Sequence, residues 1–190
     1  GVERGTVEVA GELVRRGHRS IVLSAGGRLV KQLEQEGSRH ITRSVGAKSP
    51  LTLRHVGFVR NLLARGEIDI VHAASRIPAW VTLLARRKLP VSVRPRFVTS
   101  LHGLHSVSRL SSVMTRGEAV IAVSDTIRNY ILENYSTPAE RIRVIYRGVE
   151  SAQFPRGFRP SDAWIHDFFQ QFPRAQNQQL SPYDGSRRRG

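Results

Sequence analysis

Arg96-Phe97-Val98-Thr99-Ser100-Leu101-His102-Gly103-Leu104-His105 is the stretch whose reading decides the fold. It opens as an apolar, β-branched and aromatic run of strand length, and the run stops at a His-Gly pair. In an open parallel sheet, ligands gather outside the carboxyl ends of the strands. An imidazole at that point titrates near neutral pH, and a glycine after it lets backbone come close, so His102 and Gly103 are placed for chemistry. A lone strand-end histidine is ordinarily a structural residue satisfied by neighbouring backbone. His102 stands out because of what the flanking units bring to the same rim.

On the amino-terminal side, Asp69-Ile70-Val71-His72-Ala73 reads as another strand ending near a histidine. A Ser75-Arg76-Ile77-Pro78 turn follows, then a helix from Ala79 through Arg87. This places His72 and Arg76 on the rim with His102, although a plain buried strand-end role is the preferred reading of His72. Further upstream, Val7, Ala10, Leu13 and Val14 share one helix face, which Gly17 closes. Ser20-Ile21-Val22-Leu23-Ser24 is a strand, and Leu29, Val30 and Leu33 begin a helix closed by Gly37. His40 to Val45 is an edge strand, and a helix carrying Leu53, Val56, Val59, Leu62 and Leu63 runs from Pro50 to Gly66.

On the carboxyl-terminal side, Ala119-Val120-Ile121-Ala122-Val123 is the most apolar run and reads as a central parallel strand. Ser124-Asp125-Thr126 then caps a helix; the ordinary role of Ser124 is that cap, and the functional one is an anion site at the free amides. Ile142-Arg143-Val144-Ile145-Tyr146 is the last strand, and it leaves through Arg147-Gly148-Val149-Glu150. A helix from Ser161 carries Trp164, Ile165, Phe168, Phe169 and Phe172 as an aromatic face. Past Pro173 the composition turns to Gln, Ser and Arg without periodicity, so 173–190 reads as a disordered or aberrant tail. Strands alternating with helices predict an α/β fold, a Rossmann-like doubly wound parallel sheet, over 1–172.

Composition narrows the function. With 190 residues and 39% apolar content the chain can bury one sizeable core. The absence of cysteine removes disulfide and thiolate-metal chemistry and fits a cytoplasmic address. No apolar run reaches the roughly 18 residues of a membrane span. The net charge of +15 invites a polyanion partner. It is discounted, because only Lys31, Lys48 and Lys88 are lysines and the 27 arginines are scattered rather than massed with aromatics. Arg86-Arg87-Lys88 with Arg94 and Arg96 reads as a solvated helix end, with peripheral contact to an anionic membrane as the sharper alternative. No nucleic-acid partner is expected. The seven histidines show no metal-site spacing, and no Gly-x-Gly-x-x-Gly or P-loop follows a strand, so neither a metal nor a cofactor is expected.

Several short motifs taken together carry a resemblance. They are Gly1-Val2-Glu3-Arg4-Gly5-Thr6 before a helix, Gly17-His18 into a strand, Asp69-Ile70-Val71-His72, and Thr99-x-x-His102-Gly103. Val120-Ile121-Ala122-Val123-Ser124 and Arg141-Ile142-x-Val144-Ile145-x-x-Gly148-Val149 complete the set. In this order and spacing the chain, up to about Phe172, resembles the amino-terminal, acceptor-side domain of bacterial family 4 glycosyltransferases. The resemblance implies one half of a GT-B fold, and retaining transfer of a hexose from a nucleotide sugar to a glycan or lipid-linked acceptor in envelope polysaccharide or lipopolysaccharide synthesis. It implies that His102 lies over the transferred sugar and positions it, and that Gly103 gives close approach. Gly1 corresponds to the second glycine of the loop after a first strand, and Ser124 to the serine opening the cleft-facing helix. Arg147 stands where the family often has asparagine, in the loop leading to the second domain. Glu3 and Arg76 join these as substrate-binding candidates. The resemblance further implies a first strand and a carboxyl-terminal nucleotide-sugar-binding domain outside this sequence, and little or no activity for this polypeptide alone. The competing reading is a non-enzymatic Rossmann-like module that binds an anionic glycan or membrane surface.

Overall fold

The computed structural model describes residues 2–47, 50–148, 155 and 157–175. Gly1, the tail from 176 onward, and Lys48, Ser49, Val149 and Glu150 lie outside the described residues. The chain divides into two units, Gly1–Arg147 and Gly148–Gly190.

In the first unit, α1 (Val2–Arg15) leads to β1 (Ile21–Ser24), α2 (Val30–Gln35) and β2 (Arg39–Thr42). A 3₁₀ turn over Pro50–Arg54 opens α3 (His55–Leu63), and β3 (Ile70–Ala73) and α4 (Arg76–Arg87) follow. β4 (Arg96–Leu101), β5 (Ala119–Ala122), α5 (Asp125–Asn134) and β6 (Ile142–Val144) complete it. Every strand pairing is parallel, as the alternation of strands and helices requires. The sheet is in two parts, however: β1 pairs with β2, while β3, β4, β5 and β6 form a second sheet in that order. β1 and β3 are edge strands of their sheets and carry exposed apolar residues, Ile21 and Ile70. At their amino-terminal ends Arg19 Nη2 donates to the carbonyl of Glu67 at 3.2 Å.

Helices cover both faces of β1. Val22 packs with Val7, Ala10 and Leu33 of α1 and α2, and its neighbour Leu23 packs with Val56, Val59 and Leu63 of α3. Successive strand residues point to opposite faces, so this is the doubly wound arrangement. Gly17 and Gly37 end α1 and α2 with φ of 82° and 89°, a region open to glycine without steric cost. Across Gly17, His18 N–H closes onto Leu13 O at 2.9 Å; across Gly37, Ser38 N–H closes onto Leu33 O at 3.1 Å.

The main core lies over β4 and β5, where Phe97, Leu101, Val120 and Ala122 meet Leu83 of α4, Met114, and Ile127 and Ile131 of α5. Thr99, fully buried, spends its hydroxyl on Met114 O at 2.6 Å, so this polar group inside the sheet is satisfied. At the amino-terminal end of β4, Glu118 bonds both Arg86 and Arg96, the latter at 2.6 Å. Arg86 Nε also donates to Pro95 O at 2.6 Å, and Arg94 Nε to Leu89 O at 2.8 Å. The basic cluster expected to be a solvated helix end is therefore largely tied into the fold.

In the second unit, Ser161 caps α6 (Asp162–Gln171) by accepting from Trp164 N–H at 3.2 Å, as the sequence indicates. Trp164 stacks on Phe168 with centroids 5.1 Å apart, and Phe172 lies 5.1 Å from Phe168 on the same face.

Candidate functional site

The rim at the carboxyl ends of β3 to β6 collects three of the seven histidines. β4 delivers His102 one residue past its last hydrogen-bonded position, and register places His72 beside Val98 on the neighbouring strand. Ser100 sits diagonally between them. Its Oγ lies 3.0 Å from His72 Nε2 and 2.8 Å from His102 Nε2, so one hydroxyl links the two rings. His72 is an exposed residue of β3 rather than a buried strand-end residue. Partial desolvation, and then the neighbouring His102, push its imidazole pKa down.

His102 is half-buried and titrates below the ordinary imidazole range through burial, then through the charges of Arg147 and His105. His105 is shifted the same way by burial and by Arg76. Both rings bury an Nδ1 that has no hydrogen-bond partner among the described residues. The loop carrying them is held on several sides. Tyr130 of α5 donates to His105 O, Trp80 of α4 donates to Leu110 O at 2.9 Å, and Arg76 reaches Ser111 Oγ at 3.4 Å. The loop that carries the rim is therefore tied to α4 and α5 through its backbone carbonyls at His105 and Leu110 and through Ser111.

Arg147, just past β6, turns back toward α1. Its guanidinium lies 3.9 Å from Glu8 and fills the space beside Gly5, where an added Cβ would stand 2.1 Å from Nη2. The guanidinium of Arg147 is thus held against α1, and from there its charge acts on His102. Arg76 is on the rim at the first turn of α4. Ser124 makes the cap: its side chain accepts from Ile127 N–H at 3.3 Å, beside Asp125, which binds Tyr146 OH. Gly103 does not adopt a positive φ, and a Cβ added there would meet nothing within 4 Å. The fold itself therefore does not require glycine at 103, and the space beside it is open. Glu3 is an exposed residue in the first turn of α1, and Gly1 lies outside the described residues.

Ser100, His105, Tyr130 and Trp80 carry no functional signal in the sequence. Strand alternation is the available clue for Ser100, since it puts Ser100 and His102 on one side of β4. Among the described residues no three His, Asp or Glu side chains gather as a metal site. A hollow of about 440 Å³ lies near Arg87, Arg116, Arg141 and Thr137, around the starts of β5 and β6 rather than at the rim.

A parallel, doubly wound α/β unit with polar and titratable groups gathered at its strand tips defines a Rossmann-like domain of the kind that forms one half of a GT-B fold. The chain belongs to glycosyltransferase family 4, whose family model matches residues 1–153. It is similar to a glycosyltransferase from Rickettsia africae ESF-5, with 32% identity and a TM-score of 0.72 over 91% of this chain and 46% of that one. Two structures of Anabaena HepE share its fold. The one solved with UDP and glucose is 21% identical (TM-score 0.66, covering 98% of this chain and 52% of that one). The one solved with UDP-glucose is 22% identical (TM-score 0.67, covering 98% and 51%). The chain thus spans about half the length of the solved structures it matches. No match is found among curated proteins. Among the described residues no helix is long and apolar enough to cross a membrane.

Proposed function

We propose that this chain is the acceptor-side half of a glycosyltransferase that moves a hexose from a nucleotide sugar, with retention, to a glycan or lipid-linked acceptor of envelope polysaccharide or lipopolysaccharide synthesis. The observation that carries the reading is the strand-tip rim of His102, His105, Arg76 and Arg147 on a family 4 glycosyltransferase domain. HepE, solved with UDP-glucose, supports a nucleotide-sugar donor.

In this reading His102 positions the transferred sugar. Burial, Arg147 and His105 keep its ring neutral near pH 7, so it acts through hydrogen bonds and not as a charged acid. Arg147 and Arg76 add positive potential on the side where a departing diphosphate accumulates charge. Gly103 leaves open space for a ligand beside the histidine. The alternative, a module binding an anionic membrane, draws less support because Arg86, Arg94 and Arg96 are occupied by Glu118 and backbone carbonyls.

The test is a fusion of this chain to the carboxyl-terminal domain of a family 4 relative, offered a panel of nucleotide sugars, with the anomeric configuration of the product read by NMR. Transfer with the donor's configuration retained supports the proposal. A folded fusion that transfers nothing, while the chain binds anionic vesicles, overturns it.

A further inference from the structure

We propose that Ser100 is a positioning residue for His102: its hydroxyl links His72 and His102 in one direction, fixing His102 as the Nε2–H tautomer with its buried Nδ1 unprotonated. The bearing of that tautomer on sugar transfer rests on the reading of the rim as a glycosyl-transfer site. The relay itself does not.

A serine hydroxyl has one proton and two lone pairs. The two imidazole nitrogens are the partners described for Ser100 Oγ, so accepting from both would leave the buried hydroxyl proton without an acceptor, and donating to one while accepting from the other satisfies it. With Oγ at 3.0 Å from His72 Nε2 and 2.8 Å from His102 Nε2, one ring presents N–H and the other a lone pair. The two directions differ in what they leave at the far side of each ring. If His102 carried its proton on Nδ1, that N–H would be buried without an acceptor, since Nδ1 has no partner among the described residues. Orphaned buried donors are rarer and costlier than under-used acceptors. The opposite direction buries only a lone pair at His102, and the positive charge of Arg147 nearby favours the lone pair too. It also puts the second proton on Nδ1 of His72, an exposed residue, so that N–H can meet solvent. The chain therefore runs His102 Nε2–H to Ser100 Oγ, and Ser100 O–H to His72 Nε2. Ser100 is 2% exposed, so water does not compete for its hydroxyl. His105 and Arg147 are the remaining titratable or charged neighbours of the His102 ring.

The consequence at His72 is diagnostic, because neutral imidazole in water favours Nε2–H and this relay demands Nδ1–H. Nitrogen-15 long-range correlation spectra of the full chain at about pH 8, above the ordinary imidazole range, report the tautomer of each ring. His72 is expected as Nδ1–H and His102 as Nε2–H, each favoured on the order of tenfold by the directed hydrogen bond. Ser100→Ala deletes one oxygen, and His72 then returns to Nε2–H, while Ser100→Thr, which keeps the hydroxyl, retains the wild-type pattern. The proposal is overturned if wild-type His72 is Nε2–H, if His102 is Nδ1–H, or if Ser100→Ala leaves His72 unchanged. Because the spectra are taken on the free chain, they decide the relay whatever the fusion assay says about sugar transfer.

Discussion

Replacing Glu118 with glutamine keeps its shape and removes the charge that two arginines share. The two arginines differ in exposure: 19% of the Arg86 side chain is accessible and 78% of Arg96. Hydrogen bonds to charged groups contribute about 1.5–3 kcal/mol when shielded, and exposed ion pairs about 0–1 kcal/mol. Glu118 is itself 35% accessible, so solvent screens part of the interaction and the low end applies. Glu118→Gln should then cost about 1–2 kcal/mol, nearly all of it through Arg86. For a chain of this size that lowers Tm by roughly 2–8 °C. Urea unfolding of Glu118→Gln, Arg86→Gln, Arg96→Gln and the two double variants gives the coupling energies. We expect about 1 kcal/mol or more for Glu118 with Arg86 and under about 0.5 kcal/mol with Arg96. Equal couplings, or an unchanged midpoint for Glu118→Gln, would refute the assignment of stability by burial.

Acid should destabilise the fold in two stages. The lowered pKa values of His72, His102 and His105 mean that the unfolded chain binds protons first, so stability falls as pH drops through the ordinary histidine range. Burial opposes ionisation of Glu118, but its bond to Arg96, the Phe97 N–H and the charges of Arg86 and Arg96 outweigh this and hold its pKa low. Its contribution is therefore present above the ordinary carboxylate range and lost at lower pH; a flat chemical-denaturation midpoint between about pH 7 and 3 would contradict both stages. In an NMR titration, Arg147→Gln should raise the His102 pKa toward its ordinary value by removing a neighbouring positive charge. A new methyl at Gly117 would meet Ala119 O at 2.5 Å and Thr99 N at 3.1 Å, so Gly117→Ala should cost about 1–3 kcal/mol in urea unfolding. Gly5→Ala meets only the movable end of Arg147 and should cost well under about 1 kcal/mol.

Much of this is legible in the sequence, because the signals are local. The run ending at His102 and the apolar run 119–123 are two paired strands, and Ser124 and Ser161 cap helices as their positions before an apolar periodic segment imply. Boundaries move where tertiary context decides. α1 begins at Val2, ahead of the expected start near Val7, and the segment from Pro50 winds as 3₁₀ before becoming α3. The relay is not legible, because Ser100 looks like one small residue inside an apolar strand, and its link to His72 depends on a strand register that sequence does not state. Its place at a strand end predicts burial of His72, which is instead an exposed residue of β3. The turn of Arg147 back to Gly5 and Glu8 joins residues from the two ends of the first unit, which periodicity cannot pair.

The central claim is that His102 organises a glycosyl-transfer site on this chain. The most direct measurement is the kcat/KM of the folded fusion for sugar transfer, with His102→Ala beside the wild type. A loss of about a hundredfold or more, with an unchanged unfolding midpoint, is the predicted result. Transfer at the wild-type rate from the His102→Ala fusion would contradict the account.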